Sequence, residues 1–213
     1  MGDKQAANTL FIRLKQDIRN NNLPLNEPLK QADLAQRYQV SRIPVRDVLQ
    51  RLKNEGWLVQ SGKRGVMVQP LSAIDAQDLY QMRMLLEPML LAYAIPNLSN
   101  QNIGQAQDIL QQARDSSTLS INEQGELNWQ FHACLYQPAL HPVLFDTVAR
   151  LHQLCARYIG FHSVELDHLD TSHEQHAQLL VAISNKQTTL AQQLLGQHIS
   201  QAGEILVAYI NPE

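Results

Sequence analysis

The 213-residue chain is 44% hydrophobic and 17% charged, a balance that supplies a packed core and excludes a disordered chain. Its net charge of −3 is unevenly spread: residues 1–70 hold 12 Lys and Arg against 6 Asp and Glu (+6), and residues 71–213 hold 5 against 14 (−9). No run approaches the roughly 18 uninterrupted apolar residues of a membrane span, and MGDKQAANTLFIRL lacks the long apolar stretch of a secretion signal, so a soluble, cytoplasmic protein is expected.

Cys134 and Cys155 lie in apolar surroundings without CxxC spacing and read as reduced core residues. The change of charge sign falls at Gln69-Pro70-Leu71-Ser72. This predicts two domains, 1–70 and 71–213, the first basic enough for a polyanionic partner.

In chain order, Asn8 to Asn22 has Leu10, Phe11 with Ile12, Leu14 and Ile18 at helical spacing. Leu23 to Pro28 is a turn, with two prolines and Asn26, which tolerates left-handed backbone. Gln31 to Tyr38 is a short helix with Leu34, Ala35 and Tyr38 inward. After a tight connection at Gln39-Val40, Ser41 is expected to cap the next helix with its hydroxyl. Pro44 falls in that helix's first turn, where its missing N–H costs nothing. Val45, Val48, Leu49 and Leu52 recur at i, i+3, i+4, i+7 and form its buried stripe, and Gly56 ends it. Trp57–Gln60, a basic turn with Gly62, Lys63, Arg64 and Gly65, and Val66–Val68 predict a hairpin. The order is that of a winged helix-turn-helix.

After Ser72 the pattern is helical throughout, with helices predicted near 73–95, 99–117, 121–138, 142–162, 172–185 and 187–210. The fold class is therefore mainly α: an N-terminal winged helix-turn-helix and a C-terminal six-helix bundle.

With Val45, Val48, Leu49 and Leu52 inward, Arg42, Arg46 and Gln50 share another face at i, i+4, i+8, flanked by Arg51 and Lys53. Arginine on such a face suits the major groove, where it makes two hydrogen bonds to guanine. Lys63 and Arg64 at the hairpin tip would reach phosphates or the minor groove. A solvated charged face is the alternative, and the basic half with its fold order favours double-stranded DNA.

The stretch LAQRYQVSRIPVRDVLQRLKNEGWLVQSGKRGVMV resembles the DNA-binding domain of GntR-family transcription regulators. The resemblance implies that Arg42 and Arg46 read bases and phosphates and that Gly65 shapes the wing. The expected DNA-contacting set also takes in Ser41, Pro44, Gln50, Arg51, Lys63 and Arg64. Asp47 and Val48 stand where Glu and Ala are common, and Asn26 stands where Gly is usual before the second helix.

In the helical half, Asn128 and His132 are four apart on one helix face, and His176 and His198 sit among apolar residues at core spacing. Three inward imidazoles and one oxygen would suit a divalent metal. His141, His152, His162 and His168 lie at helix ends or on mixed faces and read as surface or capping residues. Arg83 is the only basic residue of its long helix and either pairs with Glu87 or reaches a ligand carboxylate.

This half resembles the FCD ligand-binding domain of the FadR subfamily, through Arg83 to Glu87, NWQFH, EQHAQLLVAI and AQQLLGQH. Six helices resemble the shorter VanR-type group. The resemblance implies metal ligands His132, His176 and His198, with Asn128 in the place of the family's aspartate. The ion implied is Zn²⁺, with Ni²⁺ or Mn²⁺ as alternatives. Arg83 and Arg157 become candidates for binding a small carboxylate effector. The expected function is a metabolite-responsive, homodimeric regulator, a repressor of operator DNA. The competing reading is a histidine-metal hydrolase with a nucleic-acid module, against which no HExxH or nucleophile elbow stands beside the histidines.

Overall fold

The computed structural model describes residues 2–20, 22–63, 65–69, 72–115, 119–165 and 169–211, without the side chains of 2–4, 121–122 and 156–165. The chain divides into two compact units, Met1–Pro70 and Leu71–Glu213.

In the first unit α1 (Gly2–Arg19), α2 (Gln31–Tyr38) and α3 (Arg42–Asn54) precede a hairpin of β1 (Val59–Ser61) and β2 (Gly65–Met67). Leu10, Phe11, Leu14 and Ile18 are buried, whereas Ile12 is half exposed because Phe11 takes the core position beside Leu10. Leu34, Tyr38 and the α3 stripe of Val45, Val48, Leu49 and Leu52 complete the core with Trp57. The α3 terminus is a glycine-dependent stop. Gly56 has φ 83° and donates to Lys53 O at 3.0 Å, and Trp57 donates to Leu52 O at 2.9 Å.

Two expectations change here. Ser41 is the N-cap residue of α3, but its hydroxyl accepts no capping bond, so the first-turn N–H groups keep their donor capacity. The turn before α2 is also more than a turn: Leu25 bridges Val68 and Pro28 bridges Met67, which extends the hairpin by a third short segment. Asn26 sits there at φ 60°, the left-handed conformation its side chain tolerates. At the wing, a Cβ on Gly65 would lie 2.7 Å from Ser61 O, so the paired strands admit only glycine.

The second unit contains, among the described residues, α4 (Ala73–Ala94), α5 (Asn100–Asp115), α6 (Ile121–Tyr136), α7 (Pro142–Glu165), α8 (Leu169–Ser184) and α9 (Thr188–Ile210). Ser72 caps α4, and Ser120 with Glu123 forms a capping box on α6. Two 3-10 turns, at Ile95–Asn97 and Gln137–Ala139, follow α4 and α6 where Pro96 and Pro138 stop the ladder. The expected separators at 116–118 and at Asp167 and His168 lie outside the described residues, while Leu169 and Asp170 already belong to α8. Lys186 reverses the chain before α9 at φ 55°.

α4 has two faces. Ala76, Leu79, Tyr80, Arg83, Glu87, Leu90, Leu91 and Ala94 point inward. Ile74, Met82, Leu85 and Met89 point outward, with Leu85 74% exposed. α9 packs so closely on α4 that a Cβ on Gly203 would lie 2.8 Å from Tyr80 Cβ. Cys134 and Cys155 are free and buried.

Candidate metal centre and nucleic-acid interface

His132 on α6, His176 on α8 and His198 on α9 are all buried and converge: one ring nitrogen from each lies within 4.8 Å of the others. His176 Nε2 and His198 Nε2 are 3.2 Å apart. His132 Nε2 is buried with no hydrogen-bond partner. Outside the cluster, His198 Nδ1 donates to Gln175 Oε1 at 2.8 Å, and Gln175 in turn donates to Gln201 at 2.6 Å. His198 Nε2 is thereby left as a lone pair directed at His176.

Burial holds His132 and His176 well below the usual imidazole pKa, and the neighbouring imidazoles push the same way. Three buried imidazoles with ring nitrogens converging are a chemical fit to a divalent cation of the zinc type. Asn128, one turn before His132, lines a cavity of about 30 Å³ with Leu127, Phe131, His173 and His176. That space holds one water molecule or ion, not a metabolite.

Arg83 and Glu87 occupy core positions of α4. The guanidinium Nε lies 2.6 Å from Glu87 Oε1, and both side chains are almost fully buried. The intrahelical pair weighed against an effector contact is thus the arrangement adopted. Burial opposes charge on both groups, but their mutual attraction holds Glu87 well below the carboxylate range and Arg83 above its usual value. His152 on α7 joins them, its Nε2 3.0 Å from Glu87 Oε1. Burial lowers the His152 pKa, so the contact is a neutral N–H donating to a carboxylate. Tyr136 Oη donates to Glu87 Oε2 at 2.7 Å and lies 3.2 Å from His132 Nδ1. A polar chain therefore runs from Arg83 to the histidine cluster.

His152 corrects the surface reading: it is buried at 4% exposure. The signal was present, since Val148, Leu151, His152 and Cys155 recur at i, i+3, i+4, i+7 and are all buried. His141 is exposed and stacks on Tyr93 at 4.1 Å. The side chains of Arg157 and His162, and all of His168, lie outside the described residues.

In the first unit, Ser41, Arg42, Arg46, Gln50 and Arg51 are exposed on α3 with Pro44 at the edge of the core. Arg46 donates twice to Asp47 Oδ1, at 3.0 and 2.9 Å, and Gln50 donates to Asn54 at 2.8 Å. These exposed contacts are weak. Arg51 is held within its own unit, 3.6 Å over the Phe11 ring and bonded to Glu55 at 3.0 Å. Lys63 is exposed at the wing beside Gly62, and Arg64 lies outside the described residues.

Residues 6–68 match the family model "Bacterial regulatory proteins, gntR family", and residues 78–201 match that of the FCD domain. The chain belongs to the GntR family, with an FCD domain. The Nta operon transcriptional regulator of Aminobacter aminovorans is 30% identical over 162 residues, 75% of each chain. The transcriptional repressor GlaR of Escherichia coli is 26% identical, covering 87% of this chain and 89% of its own. Among solved structures, E. coli McbR/YncC superposes with a TM-score of 0.74 over 97% of this chain and 99% of that one, at 21% identity, a likeness of fold. A GntR-family regulator from Pseudomonas syringae pv. tomato gives 0.60 over 100% and 91%, at 26% identity. As a GntR/FCD protein the chain is a metabolite-responsive DNA-binding transcription regulator and not an enzyme, which sets aside the hydrolase reading. No helix among the described residues is long and apolar enough to cross a membrane.

Proposed function

We propose that this GntR/FCD regulator is a cytoplasmic homodimeric repressor of the FadR subfamily, in its six-helix VanR-like form. Its FCD domain would hold a divalent metal, Zn²⁺ in the first instance and Ni²⁺ or Mn²⁺ otherwise, and a small carboxylate effector. The observation that carries the metal reading is the orphaned Nε2 of His132 facing two other imidazoles. His132, His176 and His198 are the ligands, with Asn128 a neutral and weaker fourth. The metal would supply a cation that attracts the effector carboxylate. The missing acidic ligand lowers affinity for the ion but leaves it more attractive to an anion. A cavity of about 30 Å³ is too small for an effector. An effector carboxylate drawn to the ion would couple its binding to the packing around the histidines, the coupling a sensor needs. The similarity to GlaR of E. coli, a transcriptional repressor, supports repression as the mode.

Protein purified without chelator or affinity-tag metal is expected to take up one Zn²⁺ per chain and to melt at a higher temperature with Zn²⁺ in excess. Protein that stays empty after addition of Zn²⁺ or Ni²⁺, with no shift, sinks the metal reading.

For DNA, the readers we assign are Arg42, Arg46 and Gln50, with Ser41, Lys63 and Arg64 on phosphates, Pro44 and Gly65 shaping the backbone, and Arg51 bracing α3. Arg46→Ala is expected to lose about 1–3 kcal/mol of specific operator affinity, read by anisotropy titration on the target operator. Equal affinity of variant and wild type for the operator at physiological salt would count against the assignment.

The outer stripe of α4 supports a second copy of the chain as its partner. Leu85→Glu is expected to leave a folded monomer by sedimentation velocity and to weaken operator binding. A Leu85→Glu protein that sediments as the wild type does excludes this face.

A further inference from the structure

The metal reading leaves a deficit, because Asn128 brings no charge to three neutral imidazoles. Among the described residues, the buried anion is Glu87, and it reaches the cluster through one side chain. The Tyr136 hydroxyl carries a single proton. Its 2.7 Å contact with Glu87 Oε2 consumes that proton, because a carboxylate only accepts. The 3.2 Å contact between Tyr136 Oη and His132 Nδ1 must then be filled by the proton of Nδ1, donated to the phenol oxygen. His132 is thereby fixed in one tautomer, and the atom left with the lone pair is Nε2, the buried nitrogen without a partner. Both carboxylate oxygens of Glu87 are engaged: Oε1 accepts from Arg83 and His152, and Oε2 from Tyr136. The position of the anion is therefore set from three directions.

The other two ligands have different neighbours among the described residues. His198 is backed by the neutral amide of Gln175. His176 stacks on the apolar ring of Phe131, 4.3 Å between centroids.

We propose that Glu87, acting through Tyr136, is the anion of this site: a positioning pair that fixes the His132 tautomer and polarises its ring, in place of the acidic ligand that Asn128 does not provide. The proposal rests on the metal reading above. Carboxylate groups placed behind metal-binding histidines raise ligand basicity, and their loss typically weakens metal binding by 10- to 100-fold.

The test uses the full-length protein and Zn²⁺ alone. Tyr136→Phe removes one hydroxyl and leaves Arg83, Glu87 and His152 together. Competition against a chromophoric chelator is expected to show Zn²⁺ held about 10- to 100-fold more weakly by this variant than by wild type. In the metal-free proteins, ¹⁵N chemical shifts of His132 provide a second readout that a packing role does not move. Wild type is expected to show Nδ1 protonated and Nε2 bare, and Tyr136→Phe a mixture of tautomers. Because Glu87→Gln alone strands Arg83, the charge is tested by Arg83→Met with Glu87→Gln in one chain. That variant is expected to bind Zn²⁺ more weakly than wild type. Equal Zn²⁺ affinity and unchanged His132 shifts in Tyr136→Phe overturn the inference while leaving the metal reading intact. Wild-type protein that takes up no Zn²⁺ overturns the metal reading, and the inference falls with it.

Discussion

Replacing Glu87 by alanine is expected to cost the FCD domain about 3–5 kcal/mol of stability. The cause is what remains. Arg83 is buried at 3% exposure and its guanidinium Nε faces Glu87 Oε1 at 2.6 Å. Without the carboxylate it keeps its charge in a site that water does not reach, and Tyr136 and His152 lose their acceptor as well. Replacing both partners by neutral side chains of similar size costs less, because no uncompensated charge is left. Urea unfolding of Glu87→Ala, of Arg83→Met and of the double variant Arg83→Met with Glu87→Gln measures the difference. A double variant no more stable than Glu87→Ala would contradict a charge-based origin.

Acid is expected to unfold the metal-free protein earlier than carboxylate titration alone predicts. His132, His152 and His176 are held below the ordinary histidine value of 6.5, in each case chiefly by burial. An unfolded histidine takes up a proton as pH falls through 6.5, whereas these three stay neutral in the folded state. The unfolded state therefore binds more protons, and stability present above pH 6.5 is lost below it. Each histidine contributes at most about 1.4 kcal/mol per pH unit, which bounds the slope from the three at about 4 kcal/mol per unit. Glu87 adds its own loss only at lower pH, because its folded value lies below the usual 4.5. Melting temperatures across pH 7.5 to 5 are expected to fall steeply below 6.5. Excess Zn²⁺ should raise the melting temperature without flattening this slope, since coordinated nitrogens stay unprotonated in the folded state while unfolded histidines still take up protons. A flat profile between pH 7 and 5.5 would show that the histidines are not buried neutral groups.

The fold was legible because its signals are local. The α3 stripe, Gly56 as its stop, Asn26 at positive φ and the helix–hairpin order all follow from spacings within a few residues. The breaks at Pro96, Pro138 and Lys186 separate the long helices in the same way. The site was legible only in part. Its histidines come from α6, α8 and α9, and no spacing pairs ligands that far apart. Their grouping rested on the family resemblance, and the geometry brings the three together. His152 was passed over as a surface residue although it lies on an apolar stripe. Glu87 was read as a partner for Arg83 alone. Its link to Tyr136, 49 residues away, exists only once α4 packs on α6.

The two faces of α4 carry a genetic consequence. Residues 83 and 87 sit on one side of a 22-residue helix and residues 82, 85 and 89 on the other. Loss-of-function alleles walked along this helix should alternate with its turn. Those at 83 and 87 would lower the amount of protein in the cell and respond to growth temperature or supplied Zn²⁺. On the proposed dimer, those at 82, 85 and 89 would leave protein levels normal and, mixed with a wild-type copy, would fail to poison it, since a chain that cannot pair cannot be dominant.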